Sequence, residues 1–236
     1  MYENLVIDIL KEHGITHIAS IPCDKAKDLC FLLPGHFDHT CLTREEDGIG
    51  VCAGLVLAGR RPAMVIQSSG LGNSLNAILS LTKTYDLPLP VLASWRGVQD
   101  EVIPAQVPFN AAIPKILDAT GIPYTVIHTS EEFGKIGDVI EDAFVHTCPH
   151  VALVLPKAWE GAGSCLTESP PPSRVRQVTV SYERTIREPV MTRYDAIRVL
   201  ARHLGEQAVV SNIGVPGKEL FAARDRPLNF LSLIHI

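Results

Sequence analysis

Apolar residues follow two rhythms over the first 156 positions, and the rhythms alternate. Leu5, Val6, Ile9 and Leu10 recur at helical spacing, and His13-Gly14 supplies a stop. Residues 15–20 form a short β-rich run closed by Pro22. The alternation continues with a helix over 24–33, a strand over 39–42, a helix over 44–58 and a strand over 62–67. A glycine-containing loop is expected at 68–72, followed by a helix over 73–84 with Asn73 as its N-cap. A strand over 89–94 and a helix over 109–120 closed by Gly121 come next. A strand over 123–127, a helix over 130–147 and a strand over 150–155 complete the series. The strand segments are continuous apolar runs, as strands buried on both faces should be. Six strands separated by helices predict an α/β fold, a six-stranded parallel sheet with helices on both faces. Ligands of such sheets lie outside the carboxyl ends of the strands, which selects the turns at 21–25, 43–47, 68–73 and 95–108.

The pattern changes after residue 156. Segments 161–164 and 169–173 are rich in Gly, Ser and Pro and predict an extended linker over 157–190. A helix over 191–204, a strand over 207–212 and a helix over 217–223 then open a second α/β unit at 191–236. That unit is too short for an independent core, and its apolar end at 231–236 leads us to expect a second domain cut short. The expected organisation is therefore 1–156, 157–190 and 191–236.

Composition narrows the class. Hydrophobic residues at 46% and charged residues at 20% describe a globular chain rather than a disordered one. A net charge of -5 argues against a nucleic-acid partner. No apolar run approaches the ~20 residues needed to span a bilayer, so no membrane partner is expected. The opening Met-Tyr-Glu-Asn has no basic-then-apolar signal, and a cytoplasmic protein is expected. The cysteines (Cys23, Cys30, Cys41, Cys52, Cys148 and Cys165) form no C-x-x-C pair and read mainly as reduced, small buried hydrophobes. The scattered histidines form no H-E-x-x-H, so no protein-built transition-metal site is expected. The absence of a G-x-S-x-G elbow argues against a serine hydrolase.

Each of the four turns carries candidate chemistry beside a plainer reading. Thr43 and Glu46 have capping-box spacing, which accounts for Glu46 and leaves Glu45 without a local duty. A partly desolvated carboxyl group at Glu45 can act as acid or base, whereas a surface carboxylate there is simply favoured by the helix dipole. The run Ser68-Ser69-Gly70-Leu71-Gly72-Asn73 allows close backbone approach to a polar ligand, or is a tight turn. It is neither a Walker loop nor a full dinucleotide fingerprint. Arg96 can grip a sulfonate, phosphonate or carboxylate through a planar two-bond fork, or pair with Asp100 or Glu101 in its own loop. Asp24 can cap the helix after it or face a ligand, with Cys23 and Lys25 beside it.

Taken together, these segments resemble a known family. The run Arg44-Glu45-Glu46-Asp47-Gly48-Ile49-Gly50-Val51-Cys52-Ala53-Gly54, then Arg61-Pro62, then Ser69-Gly70-Leu71-Gly72-Asn73, resembles the pyrimidine-binding domain of thiamine-diphosphate-dependent decarboxylases. The resemblance covers roughly residues 1–156. Residues 191–230, especially Val209-Val210-Ser211-Asn212-Ile213-Gly214-Val215-Pro216, resemble the opening of the family's diphosphate-binding, beta-type domain. The family's Gly-Asp-Gly magnesium motif does not occur. The resemblance implies thiamine diphosphate and Mg2+ as cofactors, with the magnesium site in the missing part of the second domain.

It assigns Glu45, or Glu46 if the register slips by one, to the aminopyrimidine ring nitrogen of the cofactor. It places Asp24 as a second catalytic residue facing substrate, and Ser69, Gly70, Gly72 and Asn73 along the cofactor. Arg96, Lys25, Gln67 and Gln106 become the substrate-binding set. The implied reaction is decarboxylation of an anionic 2-oxoacid, 3-sulfopyruvate to sulfoacetaldehyde, as in coenzyme M biosynthesis. The alternatives are decarboxylation of phosphonopyruvate, or a non-catalytic partner subunit. A beta domain or subunit and an oligomer are the implied partners.

Overall fold

A computed structural model describes residues 2–99, 101, 103–159, 188–212 and 215–232. The chain divides into two units, 1–167 and 168–236. The first opens with α1 (Tyr2–Glu12), whose inner face buries Val6, Ile7, Ile9 and Leu10. Gly14, at φ 73°, turns the chain into β1 (His17–Ser20). The helix expected over 24–33 is divided. A 3-10 turn (Asp24–Ala26) precedes α2 (Lys27–His36). Then come β2 (Asp38–Cys41), α3 (Glu45–Leu57) and β3 (Pro62–Gln67).

The segment after β3 departs from expectation. The residues expected to form a glycine loop are already helical, in α4 (Ser69–Ala77), which runs on as a π-helical stretch (Ile78–Lys83). Asn73 is therefore inside the helix and not its N-cap. The glycines serve proximity rather than turning. A Cβ on Gly70 would lie 2.5 Å from Glu45 Cγ, and one on Gly72 would lie 2.7 Å from the Phe109 ring.

β4 (Leu89–Ser94) follows, then a 3-10 turn (Pro104–Gln106) and α5 (Val107–Thr120), closed by left-handed Gly121. β5 (Tyr124–Ile127) leads to a 3-10 turn (Ser130–Glu132), α6 (Lys135–Val145) and β6 (Pro149–Val154). The single helix expected over 130–147 is thus a turn plus a shorter helix, with Phe133 fully buried between them.

All six strands are parallel, in the order β2-β1-β3-β4-β6-β5. Apolar side chains leave the sheet alternately to its two faces. Ile18, Val65, Leu92 and Val154 pack with α1, α2 and α6 on one face. Ala19, Ile66, Val91 and Leu153 pack with α3, α4 and α5 on the other. Each fully buried Leu or Ile in these layers contributes roughly 1.5–3 kcal/mol. The chain moves outward from β1 to β2, then returns to place β3 on the opposite side of β1. That reversal opens a crevice at the carboxyl ends of β1 and β3.

Within the second unit, Thr192 caps α7 (Arg193–His203) by accepting a hydrogen bond from the Asp195 amide. β7 (Val209–Asn212), α8 (Val215–Ala223) and β8 (Asn229–Ser232) follow, and β7 and β8 pair in parallel. The expected linker segments at 161–164 and 169–173, Cys165 and the terminal residues 233–236 lie outside the described residues. Among the described residues, no helix is long and apolar enough to cross a membrane.

Candidate functional site

The carboxyl ends of β1, β3 and β4, with the start of α3, bring together most of the residues singled out in the sequence. Glu45 is the first residue of α3, and its carboxylate lies against Gly70. Asn73 reaches across from α4 and donates from Nδ2 to Glu45 Oε2 at 3.0 Å. The helix-first glycine, the carboxylate and the amide form a small constellation that a side chain at position 70 would fill.

The expected capping box is not formed. Arg44 occupies the N-cap position of α3 without a side-chain cap, and the Thr43 hydroxyl donates to Asp47 Oδ2 at 3.4 Å. Glu46 pairs instead with Arg44 at 2.9 Å, because the extended backbone at residue 44 brings that side chain over it. The two neighbouring glutamates therefore separate by duty, Glu46 to its own helix end and Glu45 to α4.

Gln67, at the carboxyl end of β3, donates from Nε2 to Ser69 Oγ and, at 3.3 Å, to Gln106 Oε1. The Cys23 thiol approaches Gln67 Oε1 at 3.8 Å. One amide thus ties together the turns after β1, β3 and β4. Asp24 and Lys25 are both exposed on this rim, and the 3-10 turn that Asp24 opens has no side-chain cap. The capping duty available to Asp24 in the sequence is therefore not taken up.

Arg96 is buried, and its fork is already engaged. Nε donates to Glu101 Oε2 at 2.6 Å and Nη2 donates to Oε1 at 3.0 Å. Both side chains are only 6% exposed. The amides of Gly97 and Ile103 donate to the same carboxylate at 3.4 and 3.2 Å. The Arg96 hydrogen bonds hold Glu101 down at about 2, and Glu101 in turn raises Arg96. Of the two readings open in the sequence, intraloop pairing is the geometry present.

A polar hub missed in the sequence supports this loop. Ser68 Oγ donates to Asn110 Oδ1 at 2.5 Å and accepts from the Arg96 amide at 2.9 Å. Asn110 donates to the Gln106 carbonyl at 2.6 Å, and the Trp95 indole donates to the Asn110 carbonyl at 3.1 Å. Ser68 and Asn110 are buried. The only trace of this hub in the sequence is a lone Asn near the start of the apolar helix pattern of α5. Gly97, at φ 70°, is also dictated here, since a Cβ would fall 2.2 Å from the Gln106 carbonyl oxygen.

The five described cysteines are free, and burial pushes the Cys52 thiol up to about 12, consistent with a packing role. Among the described residues, no group of three or more His, Cys, Asp or Glu side chains is placed to hold a metal ion.

A glutamate at the head of a half-buried helix, set in the crevice of a doubly wound parallel sheet, defines an α/β domain whose polar side chains gather at the carboxyl rim of its strands. The chain belongs to the thiamine pyrophosphate enzymes: residues 2–121 match the family described as "Thiamine pyrophosphate enzyme, N-terminal TPP binding domain". It is similar to sulfopyruvate decarboxylase of Methanosarcina acetivorans, with 47% identity over 97% of this chain and 60% of that protein. It is also similar to sulfopyruvate decarboxylase subunit alpha of Methanococcus maripaludis, with 41% identity over 58% of this chain and 82% of the subunit. The chain thus spans about 60% of the length of the Methanosarcina relative. Among solved structures, benzoylformate decarboxylase from Polynucleobacter necessarius superposes with a TM-score of 0.53 at 14% identity, covering 89% of this chain and 38% of that one. That likeness concerns the fold.

Proposed function

We propose that this chain supplies the pyrimidine-binding half of a thiamine-diphosphate-dependent decarboxylase that converts 3-sulfopyruvate to sulfoacetaldehyde and carbon dioxide. The observation that carries this reading is the Glu45–Asn73–Gly70 constellation at the head of α3 and α4. Its donor set suits an aminopyrimidine. Asn73 occupies Glu45 Oε2, which leaves Oε1 to share a proton with a ring nitrogen. Gly70 and Gly72 keep α4 free of side chains where neighbouring groups approach closely, and Ser69 lies next to them. When bound, thiamine diphosphate supplies the electron sink that carboxylate loss requires. The magnesium that accompanies its diphosphate is assigned to a diphosphate-binding beta domain or subunit.

The substrate assignment rests on relatives that bear the name sulfopyruvate decarboxylase, the Methanosarcina protein and the Methanococcus alpha subunit among them. Gln67, Gln106 and the Arg96 loop form the rim where the 2-oxoacid would bind, with Asp24 and Lys25 at its exposed edge. A cytoplasmic setting, assembly as an oligomer and a place in coenzyme M biosynthesis belong to the same proposal. The test is a kinetic comparison of 3-sulfopyruvate with phosphonopyruvate, using this chain combined with a diphosphate-binding domain, thiamine diphosphate and Mg2+. Faster consumption of 3-sulfopyruvate is expected. Preference for phosphonopyruvate would overturn the substrate, and no turnover of either would leave the non-catalytic subunit as the better description.

A further inference from the structure

We infer that Glu101 is a specificity-determining residue: by neutralising Arg96 it makes the cleft accept a singly charged acidic head group and reject a doubly charged one. This rests on the decarboxylase reading above and deepens it. The geometry begins with how firmly the pair is held. Arg96 is anchored through its own amide to Ser68, and its guanidinium is clamped through Nε and Nη2. Each Glu101 oxygen accepts two hydrogen bonds, Oε2 from Arg96 Nε and the Gly97 amide, Oε1 from Arg96 Nη2 and the Ile103 amide. Such a carboxylate stays ionised and does not swing away when a ligand arrives.

Among the described residues Nη1 takes no part in this clamp, and it is the edge of the guanidinium left for an anion. The exposed Asp24 carboxylate is a further charge that raises Arg96. An arriving anion therefore meets a cation already balanced by Glu101, with Asp24 adding a further negative charge nearby. Two residues before Arg96, the Ser94 hydroxyl is buried at the carboxyl end of β4 and has no partner among the described residues. That is a neutral donor on the same rim.

Charge then discriminates between head groups of nearly identical shape. A sulfonate carries one negative charge throughout the neutral range. A phosphonate takes on a second near neutrality, and that charge faces the Glu101 carboxylate across the width of one guanidinium with no additional cation in the clamp, while Lys25, the other cation on this rim, is exposed to solvent and screened. Shape alone does not separate two tetrahedral groups, whereas an unpaired like charge in a partly dry site does.

The experiment uses the holoenzyme completed with the diphosphate-binding domain, and compares kcat/KM for 3-sulfopyruvate and phosphonopyruvate from about pH 6 to about pH 8, across the second phosphonate ionisation. In the unaltered enzyme the preference for 3-sulfopyruvate should grow as pH rises. Glu101→Gln should narrow that preference by roughly tenfold, the scale of one charge pair at a few ångströms, and flatten its pH dependence. Glu101→Asp, which keeps the charge, should slow both substrates while retaining the preference.

Titration of 3-sulfopropanoate and 3-phosphonopropanoate into the same proteins should show the same change in affinity ratio without turnover. A preference independent of pH in the unaltered enzyme overturns the inference even if Glu101→Gln does not fold. Equal losses for both substrates in Glu101→Gln would also overturn it and leave Glu101 as a loop staple. An unaltered enzyme that consumes neither substrate removes the decarboxylase reading itself, and this inference with it.

Discussion

Asn73 donates to Glu45 at 3.0 Å, so the second turn of α4 holds the first side chain of α3 in place. The two residues are 28 positions apart and meet because β3 delivers α4 beside α3. A carboxylate with one oxygen fixed by an amide presents the other in a defined direction, and position is most of what such a group contributes.

Replacing Glu45 with Gln preserves shape and keeps an oxygen for Asn73 but removes the shareable proton. Turnover of the completed enzyme should fall by roughly 10²-fold or more. Chemical unfolding should shift by no more than about 0.5 kcal/mol. Glu46→Gln should leave turnover close to normal, since Glu46 serves Arg44. Near-normal rates in the Glu45 variant would place the acid elsewhere.

Gly70→Ala puts a methyl group where the Glu45 side chain already lies. Overpacking of this kind typically costs about 1–3 kcal/mol. Because Glu45 is the group that must yield, activity should suffer more than stability, on the order of 10²-fold for a displacement near 1 Å. Paired denaturant melts and steady-state rates would show whether the two losses separate in this way.

Ser68→Ala removes the hydroxyl that joins the Arg96 amide to Asn110. Both partners are left buried and short of a hydrogen bond, which should destabilise the fold by about 1–3 kcal/mol. Urea titration measures the loss, and an unchanged midpoint would mean that water replaces the hydroxyl.

Acid stability offers a separate test of the Arg96–Glu101 pair. Glu101 is held at about 2, down from its ordinary 4.5, first of all by its hydrogen bond with Arg96. The unfolded chain therefore takes up this proton more readily than the folded one. The pair stabilises fully above about pH 4.5, and its contribution drains away as pH falls toward 2. Glu132, also held at about 2, chiefly by the His128 amide and Lys135, acts in the same window. Melting temperature should drop on acidification through this range, and Glu101→Gln should lessen the slope.

The central strands were legible in the sequence because they are buried on both faces. Pro62–Gln67 and Leu89–Ser94 read as unbroken apolar runs and lie in the structure where those runs lie. The head of α4 was not legible, because Gly70 and Gly72 are ordinary loop signals and the groups that require them, Glu45 and Phe109, sit 25 and 37 residues away. The same distance effect hid the Ser68–Asn110 bond, which spans 42 residues. Glu45 was legible from its neighbours, although the capping box first used to set Glu46 aside is replaced by the Arg44 pair. Local spacing reports helix ends and apolar faces. Polar contacts made by the tertiary fold leave little trace in it.

The six strands all run in one direction, so the chain returns to the same rim each time a strand ends. At the opposite rim, His150 joins Asp142 and Thr125, and Arg61 stacks on Phe144, far from any strand's carboxyl terminus. Selection can therefore rewrite one turn at a time to accept a new acid while the hinterland of the sheet stays untouched, much as a lock is rekeyed without rebuilding the door.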